Sequence, residues 1–526
     1  MKKILIIRLG AIGDVILTSP AALNMKLSFP DSKVFFLTRE YVAGLIERFA
    51  GVDEVLPLPQ RITFRELFRM AEYIEQIGFD MAVDLHGNIR SKYLMRHIAA
   101  GIKVQYGKRR FERLAATRLR RIDHNPPHTV DLYNRAVEKC GARAYAGRPV
   151  LQLPKKSERA LDFGKTLPVI AVAPGASYPT KRWFSERFIA LVNEIFERIP
   201  ANVVLILTDD DRELLNMPGE LPDDRLKTLV NADLCSLAEI LEESDLLICN
   251  DSALGHLGSA VGTPVAALFG PTHPTLGFAP RGMGDSIVQV DEYCRPCSLH
   301  GKRACYRDRQ YCFERISVDD MLTVISERLE SNAKGRKAIF VDRDGTLIKE
   351  KNFLDNPDEV EPESGSIEAV RAANRAGYRV IVLSNQSGVA RGYFPEHRVH
   401  QVNERVRSIF EAAGAGIDDI LYCPHHPDGE IAEYARECDC RKPSPGMVEK
   451  ACQRHNINPF RSFFVGDRLS DINLAHVTGG RAILVRTGYG HSAEENIISD
   501  NKTGPERIVD NLLEAVEYII DMQSQI

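Results

Sequence analysis

The chain has 526 residues, of which 44% are hydrophobic and 27% charged, and its formal net charge is −4. This length exceeds what one hydrophobic core supports and indicates about three domains of ordinary soluble composition. The net charge gives no indication of nucleic-acid binding, and the absence of any apolar run of 18 or more residues argues against a transmembrane helix.

The N-terminus and the cysteines indicate the compartment. The apolar start of the chain is interrupted at Arg8, and Gly10, Gly13 and Asp14 follow where a signal peptide would place its cleavage site. It is therefore interpreted as a buried first strand. Eleven cysteines, eight of them in two clusters, favour metal sites in a reducing compartment over a disulfide framework. We expect a cytoplasmic protein.

Short apolar runs alternate with amphipathic segments, which predicts an α/β fold with parallel sheets and crossover helices. The predicted domains are 1–155, 156–330 and 337–526, the last ending in a helical tail, with a polar linker at 331–336. The strand candidates are KILIIR, KVFFLT and MAVDLH in the first domain, PVIAVAPG, NVVLILT, DLLICN and PVAALFG in the second, and KAIFVD, YRVIVLS, DILYC, SFFVG and RAILV in the third.

Two features of the first domain suggest a site. GAIGD at 10–14 follows the first strand but lacks the G-x-G-x-x-G spacing of a dinucleotide site. Asp14 alone fits a helix cap as well as catalysis. The segment 108–121, KRRFERLAATRLRR, holds seven basic residues against one acid. It is either a solvated helix face or a surface for an anionic substrate or an acidic membrane.

Two motifs of the second domain suit phosphate binding. PGASYPTKRW places Lys181 and Arg182 after a strand, where they can bind a diphosphate. NDSALGHLGSAVGTP places Asp251 and Ser252 at a predicted helix start. Backbone N–H groups at such a position receive a second phosphate.

These motifs, together with DLHGNIRS at 84–91 and FGPTHP at 269–274, resemble the family 9 glycosyltransferases, the ADP-heptose:lipopolysaccharide heptosyltransferases. The resemblance covers about 1–330 and implies a GT-B architecture of two Rossmann-like domains with the active site between them. It implies that Asp14 deprotonates the acceptor hydroxyl in an inverting displacement. The residues implied to bind the donor, ADP-heptose, are Lys181, Asp251, Ser252, Ala253, Leu254, Gly255 and His256.

The acceptor implied by this resemblance is the anionic Kdo–lipid A inner core. It gives the basic segment 108–121 a role and makes peripheral contact with the inner membrane an expectation. The chain departs from the family where a glycine-rich turn is replaced by Asp209, Asp210 and Asp211. Three acids near a diphosphate would repel it unless they face the ribose or solvent.

The first cysteine cluster consists of Cys294, Cys297, Cys305 and Cys312, spaced C-x2-C-x7-C-x6-C. Four thiolates at short spacing suit a second structural zinc. An iron–sulfur cluster and reduced thiols without a metal are the other interpretations.

Polar residues follow several strands of the third domain. Asp342 and Asp344 flank an arginine after the first strand, Ser384 ends the second, and Lys442 and Asp467 follow later strands. Open α/β sheets bind ligands at the carboxyl ends of their strands. Three carboxylates with a hydroxyl and a lysine suit a phosphate with Mg²⁺, and one aspartate is available to attack phosphorus.

DRDGT, SNQSG, CRKP and GDRLSD together resemble the haloacid dehalogenase superfamily of phosphatases. CPHHPDG followed by CDCRKP resembles its D-glycero-D-manno-heptose 1,7-bisphosphate 7-phosphatases, over about 337–490. The resemblance implies that Asp342 forms an aspartyl-phosphate, and that Asp344 protonates the leaving sugar oxygen and then activates water. It implies Mg²⁺ bound by Asp342, Asp467 and the backbone carbonyl of Asp344.

The same resemblance gives Ser384 and Lys442 the catalytic role of steadying the phosphoryl group, and Arg441 that of recognising the sugar phosphate. The residues implied to line the substrate are Glu350, Lys351, Asn352, Phe353, Ser384, Asn385, Gln386, Ser387, Arg441, Lys442 and Arg468.

The second cysteine cluster consists of Cys423, His425, Cys438 and Cys440. Three thiolates and an imidazole are typical of a closed, structural zinc site. Such a site would hold a loop beside Arg441 and Lys442 without activating water. His426 is an alternative ligand, and the resemblance favours His425.

The sequence therefore predicts a bifunctional enzyme of heptose and lipopolysaccharide biosynthesis, a Mg²⁺-dependent phosphatase joined to a glycosyltransferase. Two alternatives stay open at this point. Histidinol-phosphate phosphatases are similar and also carry a cysteine-rich zinc loop, and the first 330 residues are compatible with an inactive binding module.

Overall fold

The structure, a computed structural model, describes most of the chain in two compact units, Met1–Lys334 and Gly335–Ile526. The described residues are 1–154, 160–163, 167–211, 224–331, 334–497 and 503–524. The predicted boundary at 155–156 lies outside the described residues, as do residues 332 and 333 of the predicted linker and residues 525 and 526 of the predicted tail.

The N-terminal half of the first unit is a five-stranded parallel sheet in the order β3-β2-β1-β4-β5. Its elements are β1 Lys3–Ile7, α1 Ile12–Ile16, α2 Ser19–Ser28, β2 Lys33–Arg39, α3 Glu40–Ile46, β3 Glu54–Leu58, α4 Phe64–Ile77, β4 Met81–Asp84, α5 Ile89–His97, β5 Ile102–Gln105, α6 Arg110–Leu119 and α7 Thr129–Glu138. Ile4 and Ile6 of β1 join one buried cluster, and Leu5 and Ile7 join another. Because both faces are covered, the inner strands are continuous apolar runs.

The C-terminal half of the first unit is a six-stranded parallel sheet in the order β11-β10-β9-β6-β7-β8. Its elements are β6 Val169–Ala173, α8 Ser185–Arg198, β7 Asn202–Leu207, β8 Leu226–Val230, α9 Leu234–Glu243, β9 Leu246–Asn250, α10 Ala253–Ala260, β10 Val265–Leu268, β11 Ser286–Val288, α11 Tyr311–Glu314 and α12 Val318–Glu330. α10 packs against α1 of the first sheet, so the two halves meet at these helices.

The second unit has a six-stranded parallel sheet in the order β14-β13-β12-β15-β16-β17. Its elements are β12 Ala338–Asp342, α13 Ser366–Arg375, β13 Arg379–Asn385, α14 Glu396–Ala412, β14 Asp419–Cys423, α15 Gly446–His455, β15 Phe463–Gly466, α16 Leu469–Thr478, β16 Arg481–Val485, α17 Gly490–Glu495, β17 Arg507–Val509 and α18 Leu512–Ser524. The predicted α/β fold class is confirmed.

The crossover helices make the carboxyl ends of all strands in a sheet meet at one edge, where ligands bind in such folds. The first helix after each strand begins at that edge. None of the helices within the described residues has the length and apolar character needed to cross a bilayer.

Candidate active sites

A buried lysine joins the acids at the edge of the second unit's sheet. Asp342 ends β12, Asp467 follows β15, and Asp471 lies in the first turn of α16. The Lys442 ammonium donates to Asp342 at 2.7 Å and to the Leu383 carbonyl at 2.8 Å, and it lies 2.6 Å from Asp471. Three of the predicted residues thus come together, and Asp471 joins them as a residue that the sequence analysis missed.

The charged groups of this cluster are buried, and the carboxylates outnumber the ammonium. Burial raises the pKa of Asp342 well above its ordinary value, although Lys442 opposes this rise. Burial and then the charge of Asp471 raise the pKa of Asp467 to about 6. Burial alone would lower the pKa of Lys442, but Asp342 and Asp471 outweigh it and raise that pKa. When all four groups are ionised, three carboxylates face one ammonium, and the excess negative charge favours binding of a cation.

The cluster fits Mg²⁺. Asp342, Asp467 and Asp471 each place a carboxylate oxygen within 4.8 Å of the other two. The Oδ1 atom of Asp467 is buried and has no hydrogen-bond partner, a costly arrangement for a carboxylate. Magnesium prefers oxygen ligands and is bound by few carboxylates, so it would satisfy this oxygen and offset the excess charge.

Asp344 is held from several sides beside this cluster. The guanidinium of Arg343, only 1% exposed, donates to it at 3.0 Å. Gln386 donates to it at 2.8 Å and the Ser384 hydroxyl lies 3.4 Å away. The carboxylate is therefore fixed in orientation and still 19% exposed, which suits a group that exchanges protons with a substrate. Arg343 is a second residue that the sequence analysis missed.

The predicted substrate loop has strained backbone. Asn352 and Phe353 adopt φ angles of 45° and 64°, which non-glycine residues adopt at a cost that often marks functional sites. The Tyr489 hydroxyl donates to Asn352 at 2.7 Å. Arg468 stacks on the Tyr489 ring at 3.8 Å and lies 3.7 Å from Glu350. These contacts bring three of the predicted lining residues, from two separate segments, to one place.

The remaining predicted lining residues make different contacts. Asn385 accepts a hydrogen bond from the backbone N–H of Lys442 at 3.0 Å, which fixes the lysine segment to β13. Arg441 donates to the carbonyl of His425 at 3.3 Å. Lys351 donates to the carbonyl of Glu359 at 2.8 Å, so its ammonium is engaged within its own loop. Ser387 accepts from the backbone of Arg391 at 3.0 Å.

Cys423, His425, Cys438 and Cys440 form a cluster that could hold a metal ion, and Arg441 contacts it through the His425 carbonyl. The sulfur of Cys440 lies 3.1 Å from that of Cys423 and 3.4 Å from that of Cys438. The Nδ1 atom of His425 lies 3.3 Å from the Cys440 sulfur, whereas His426 is outside the cluster. The Cys423 thiol lowers the pKa of Cys440 to about 5. Three converging thiols, one of them with a lowered pKa, and an imidazole fit structural zinc.

Asp14 lies on α1, just past the carboxyl end of β1. Its carboxylate pairs with the guanidinium of Arg8, which is buried and also donates to the Leu85 carbonyl at 2.7 Å. A Cβ atom added to Gly13 would lie 2.7 Å from the His256 ring, so α1 and α10 are in close contact there. Burial lowers the pKa of His256 and favours its neutral ring. The predicted base and the predicted donor helix thus lie side by side.

The predicted donor residues gather at the start of α10. The Lys181 ammonium lies 2.7 Å from Asp251, and the Thr272 hydroxyl donates to the same carboxylate at 2.7 Å. Ser252 immediately precedes α10, and its side chain does not cap the helix. The first turn contains Ala253, Leu254, Gly255 and His256. Uncapped N–H groups beside a lysine form an anion site.

The three acids that replace the glycine-rich turn form a short helical turn, Asp209–Asp211. Asp211 is buried, accepts from the Thr208 N–H at 2.9 Å and lies 3.5 Å from the Arg182 guanidinium. Asp210 lies 3.7 Å from the same guanidinium with its side chain 82% exposed. One acid is therefore paired and capping, and another faces solvent, which reduces the expected repulsion of a diphosphate.

The other cysteine cluster, Cys294, Cys297, Cys305 and Cys312, lies in the segment after β11. No three of these described thiols gather within 4.8 Å of one another, so the second zinc stays a prediction. The same segment supports Lys181, because the Thr180 hydroxyl donates to the Gly301 carbonyl and Gln310 donates to the Thr180 carbonyl at 2.6 Å.

Two family models match the chain. The model described as glycosyltransferase family 9 (heptosyltransferase) matches residues 67–306, and one described as HAD-hydrolase-like matches residues 439–515. The two matches fall in different compact units.

Curated relatives match the second unit. The D-glycero-beta-D-manno-heptose-1,7-bisphosphate 7-phosphatase of Haemophilus ducreyi is 38% identical over 187 residues, which are 35% of this chain and 99% of that protein. The corresponding alpha-anomer phosphatase of Photorhabdus laumondii is 39% identical over 168 residues, 31% of this chain and 92% of that protein.

A solved structure matches the first unit. The family 9 glycosyl transferase from Veillonella parvula aligns with a TM-score of 0.51 at 22% identity, covering 62% of this chain and 97% of that one. At this identity the match shows a shared fold, and it is consistent with the GT-B architecture expected from the sequence.

Proposed function

Since the chain belongs to the heptose-1,7-bisphosphate 7-phosphatases of the HAD-like hydrolases in its second unit and to the family 9 glycosyltransferases in its first, we propose a bifunctional enzyme of heptose metabolism. The second unit hydrolyses the 7-phosphate of D-glycero-D-manno-heptose 1,7-bisphosphate. The first unit transfers heptose from ADP-heptose to the lipopolysaccharide inner core. Both named relatives act on heptose bisphosphates, which favours this substrate over histidinol phosphate.

The phosphatase reaction runs through two displacements at phosphorus. An Asp342 carboxylate oxygen attacks, the bond to the sugar oxygen breaks, and Asp344 gives that oxygen its proton. Asp344 then takes a proton from water, which attacks the aspartyl-phosphate and releases phosphate and free Asp342. Lys442 holds the nucleophile in place and offsets phosphoryl charge. Bound Mg²⁺, held by Asp342, Asp467, Asp471 and the backbone of Asp344, supplies positive charge for the transferring group.

One observation carries this proposal, the buried Lys442 ammonium that bridges Asp342 and Asp471 at the strand edge. Replacing the nucleophile tests it. We expect Asp342→Asn to lower phosphate release from either anomer of the bisphosphate by at least about a thousandfold. Asp428→Asn is the matched control, because it makes the same change at an aspartate whose side chain is 87% exposed. Turnover by Asp342→Asn close to that of the control would rule out the mechanism.

Zinc has a structural role in this proposal. The thiolate and imidazole cluster fixes the loop that carries Arg441, and Arg441 then reaches the sugar phosphate. No ligand position is left for water when four protein atoms bind. The reduced thiols that this requires suit the cytoplasm, where we place the enzyme.

The transferase reaction takes place where α1, which carries Asp14, meets the start of α10. Asp14 removes the proton of the acceptor hydroxyl on the Kdo–lipid A core, and that oxygen displaces ADP from the heptose with inversion. Lys181 and the start of α10 hold the diphosphate as it leaves. Arg8 keeps the Asp14 carboxylate in position through its ion pair.

Asp14→Ala tests this half of the proposal. We expect it to abolish heptose transfer from ADP-heptose to a heptose-free core acceptor, while phosphate release by the same preparation is unchanged. If the wild-type chain transfers no heptose under these conditions, the first unit is a binding module for the phosphatase instead.

A further inference from the structure

Tyr489, which follows β16, contacts three parts of the proposed phosphatase site. Its backbone N–H donates to Oδ2 of Asp467 at 2.8 Å. The Cζ atom of Arg468 lies 3.8 Å from the centroid of its ring, and its hydroxyl donates to Oδ1 of Asn352 at 2.7 Å. This residue therefore joins a proposed Mg²⁺ ligand, a predicted substrate-binding arginine and the predicted substrate loop. The sequence analysis did not single it out.

The turn that carries Tyr489 packs directly on the metal site. A Cβ atom added to Gly488 would collide with the Asp467 carboxylate and lie 2.7 Å from the Cα atom of Gly345. One added to Gly490 would collide with the backbone of β16. Glycine on both sides therefore lets the backbone come close enough for the Tyr489 N–H to reach Asp467, and this close approach fixes the position of the ring.

The substrate loop is held by contacts from outside itself. Asn352 has a φ angle of 45°, and strained backbone of this kind persists only where its surroundings hold it. Within the loop, the Asn352 N–H donates to Glu350 at 2.8 Å. From outside, the Tyr489 hydroxyl binds the Asn352 side chain, and Arg468 lies 3.7 Å from the Glu350 carboxylate. The four residues thus form a closed ring of contacts.

Arg468 and Lys442 differ in what they can bind. The Lys442 ammonium is buried and engaged by Asp342, so it serves the phosphoryl group that is transferred. The Arg468 side chain is 49% exposed, and its 3.7 Å separation from Glu350 is too long for a direct hydrogen bond. A guanidinium stacked on a ring can still bind a phosphate with two hydrogen bonds in its own plane. Arg468 therefore suits a second phosphate outside the buried cluster.

We propose that Tyr489 is a positioning residue of the phosphatase, which aims the Arg468 guanidinium at the phosphate that is not transferred and holds the substrate loop through Asn352. This role rests on the proposed function and deepens it, because the 1-phosphate of the heptose bisphosphate is the group that Arg468 would bind. Tyr489 itself touches neither phosphate. Its ring and its hydroxyl keep the arginine and the loop in place before the substrate arrives, which lowers the cost of binding.

Steady-state kinetics with two substrates test the role of the ring. Phosphate release is measured from heptose 1,7-bisphosphate and from the corresponding 7-monophosphate, which lacks the second phosphate. We expect Tyr489→Leu to raise the KM for the bisphosphate at least about fivefold, because the arginine is no longer stacked, and to change kcat less than about twofold. The KM for the monophosphate should change by less than about twofold. In an Arg468→Met background, Tyr489→Leu should raise the KM no further.

Hydrogen exchange tests the loop without substrate. Amide exchange of 349–354 is followed by mass spectrometry in the full-length chain. Tyr489→Phe keeps the ring and removes only the hydroxyl, so we expect this exchange to be at least about threefold faster than in the wild type. Its KM for the bisphosphate should rise less than that of Tyr489→Leu. This milder variant also provides a test if the leucine variant does not fold.

Tyr518 offers matched controls. Its ring also lies beneath an arginine, Arg507, at 5.4 Å, and its hydroxyl donates to Glu506 at 2.9 Å. Arg507 begins β17, so this pair lies at the amino edge of the sheet, away from the proposed site. Tyr518→Leu should leave both KM values unchanged, and Tyr518→Phe should leave exchange of 349–354 unchanged.

Three results would overturn the inference, namely an equal rise in KM for both substrates, a full effect of Tyr489→Leu in the Arg468→Met background, and wild-type exchange in Tyr489→Phe. Failure of the proposed function gives a different result. A wild-type chain that releases phosphate from neither substrate would refute the phosphatase function, and the positioning of the loop by Tyr489 would then stand or fall with the exchange rates alone.

Discussion

Replacing Lys442 with methionine tests whether a single buried cation balances the phosphatase acids. The side chain is 2% exposed, and its ammonium lies 2.7 Å from Asp342 and 2.6 Å from Asp471. Methionine is similar in volume and uncharged, so both carboxylates would stay buried without their partner. Breaking a buried charge pair in this way costs about 3–5 kcal/mol. For a unit of this size, that lowers the Tm by roughly 6–20 °C.

The assay is thermal unfolding of the full-length chain in EDTA and in Mg²⁺. The transition that Mg²⁺ shifts in the wild type reports the phosphatase unit, because a ligand stabilises the state that binds it. We expect the loss in Lys442→Met to be larger in EDTA, since Mg²⁺ takes over part of the charge balance. Lys450→Met, at an exposed lysine of α15, is the control and should change stability by less than about 0.5 kcal/mol. Equal Tm values for the two variants in EDTA would refute the reasoning.

Three further changes probe other features of the chain. The pKa of Asp467 is about 6 in the folded protein against an ordinary 3.8. The metal-free protein should therefore lose up to about 3 kcal/mol of unfolding free energy through this group as the pH rises from 3.8 to about 6. Asp467→Asn should make the fall of Tm with pH shallower. Gly301→Ala should raise the KM for ADP-heptose, because its Cβ would meet Lys181 at 2.4 Å, whereas Gly147→Ala, with open space, should not. Cys438→Ser should remove one zinc per chain by metal analysis and slow phosphate release.

The sequence predicted the inner strands of all three sheets and missed most edge strands. β3, β5, β8, β11 and β17 lie at sheet edges. The residues of β5 are mostly exposed, and those of β8 are either half-buried or exposed. An edge strand has one neighbour and is often covered on one side only, so its sequence lacks the continuous apolar run that marks a central parallel strand.

The site residues divide in a similar way. Asp342, Lys442 and Asp467 were predictable because each lies in a recognisable motif, two of them at the carboxyl end of a strand and Lys442 just before a helix. Asp471 was missed because an acid in the first turn of a helix is ordinarily explained by the helix dipole, although GDRLSD contains it. Arg343 was missed because only the fold shows its burial against Asp344. Arg8 interrupts an apolar strand, a signal that the sequence analysis used only against a signal peptide.

The two sites differ in what holds them together. In the second unit, Asp342 and Asp467 come from neighbouring strands of one sheet, and the Lys442 ammonium joins Asp342 to Asp471. In the first unit, Asp14 lies in the half with the first sheet and Lys181 in the half with the second sheet. The close contact of Gly13 with His256 helps to set the distance between these two halves at the site. The proposed transfer reaction therefore depends on packing between two halves as well as on the groups that touch substrate. A side chain added at Gly13 would separate base from donor without removing either.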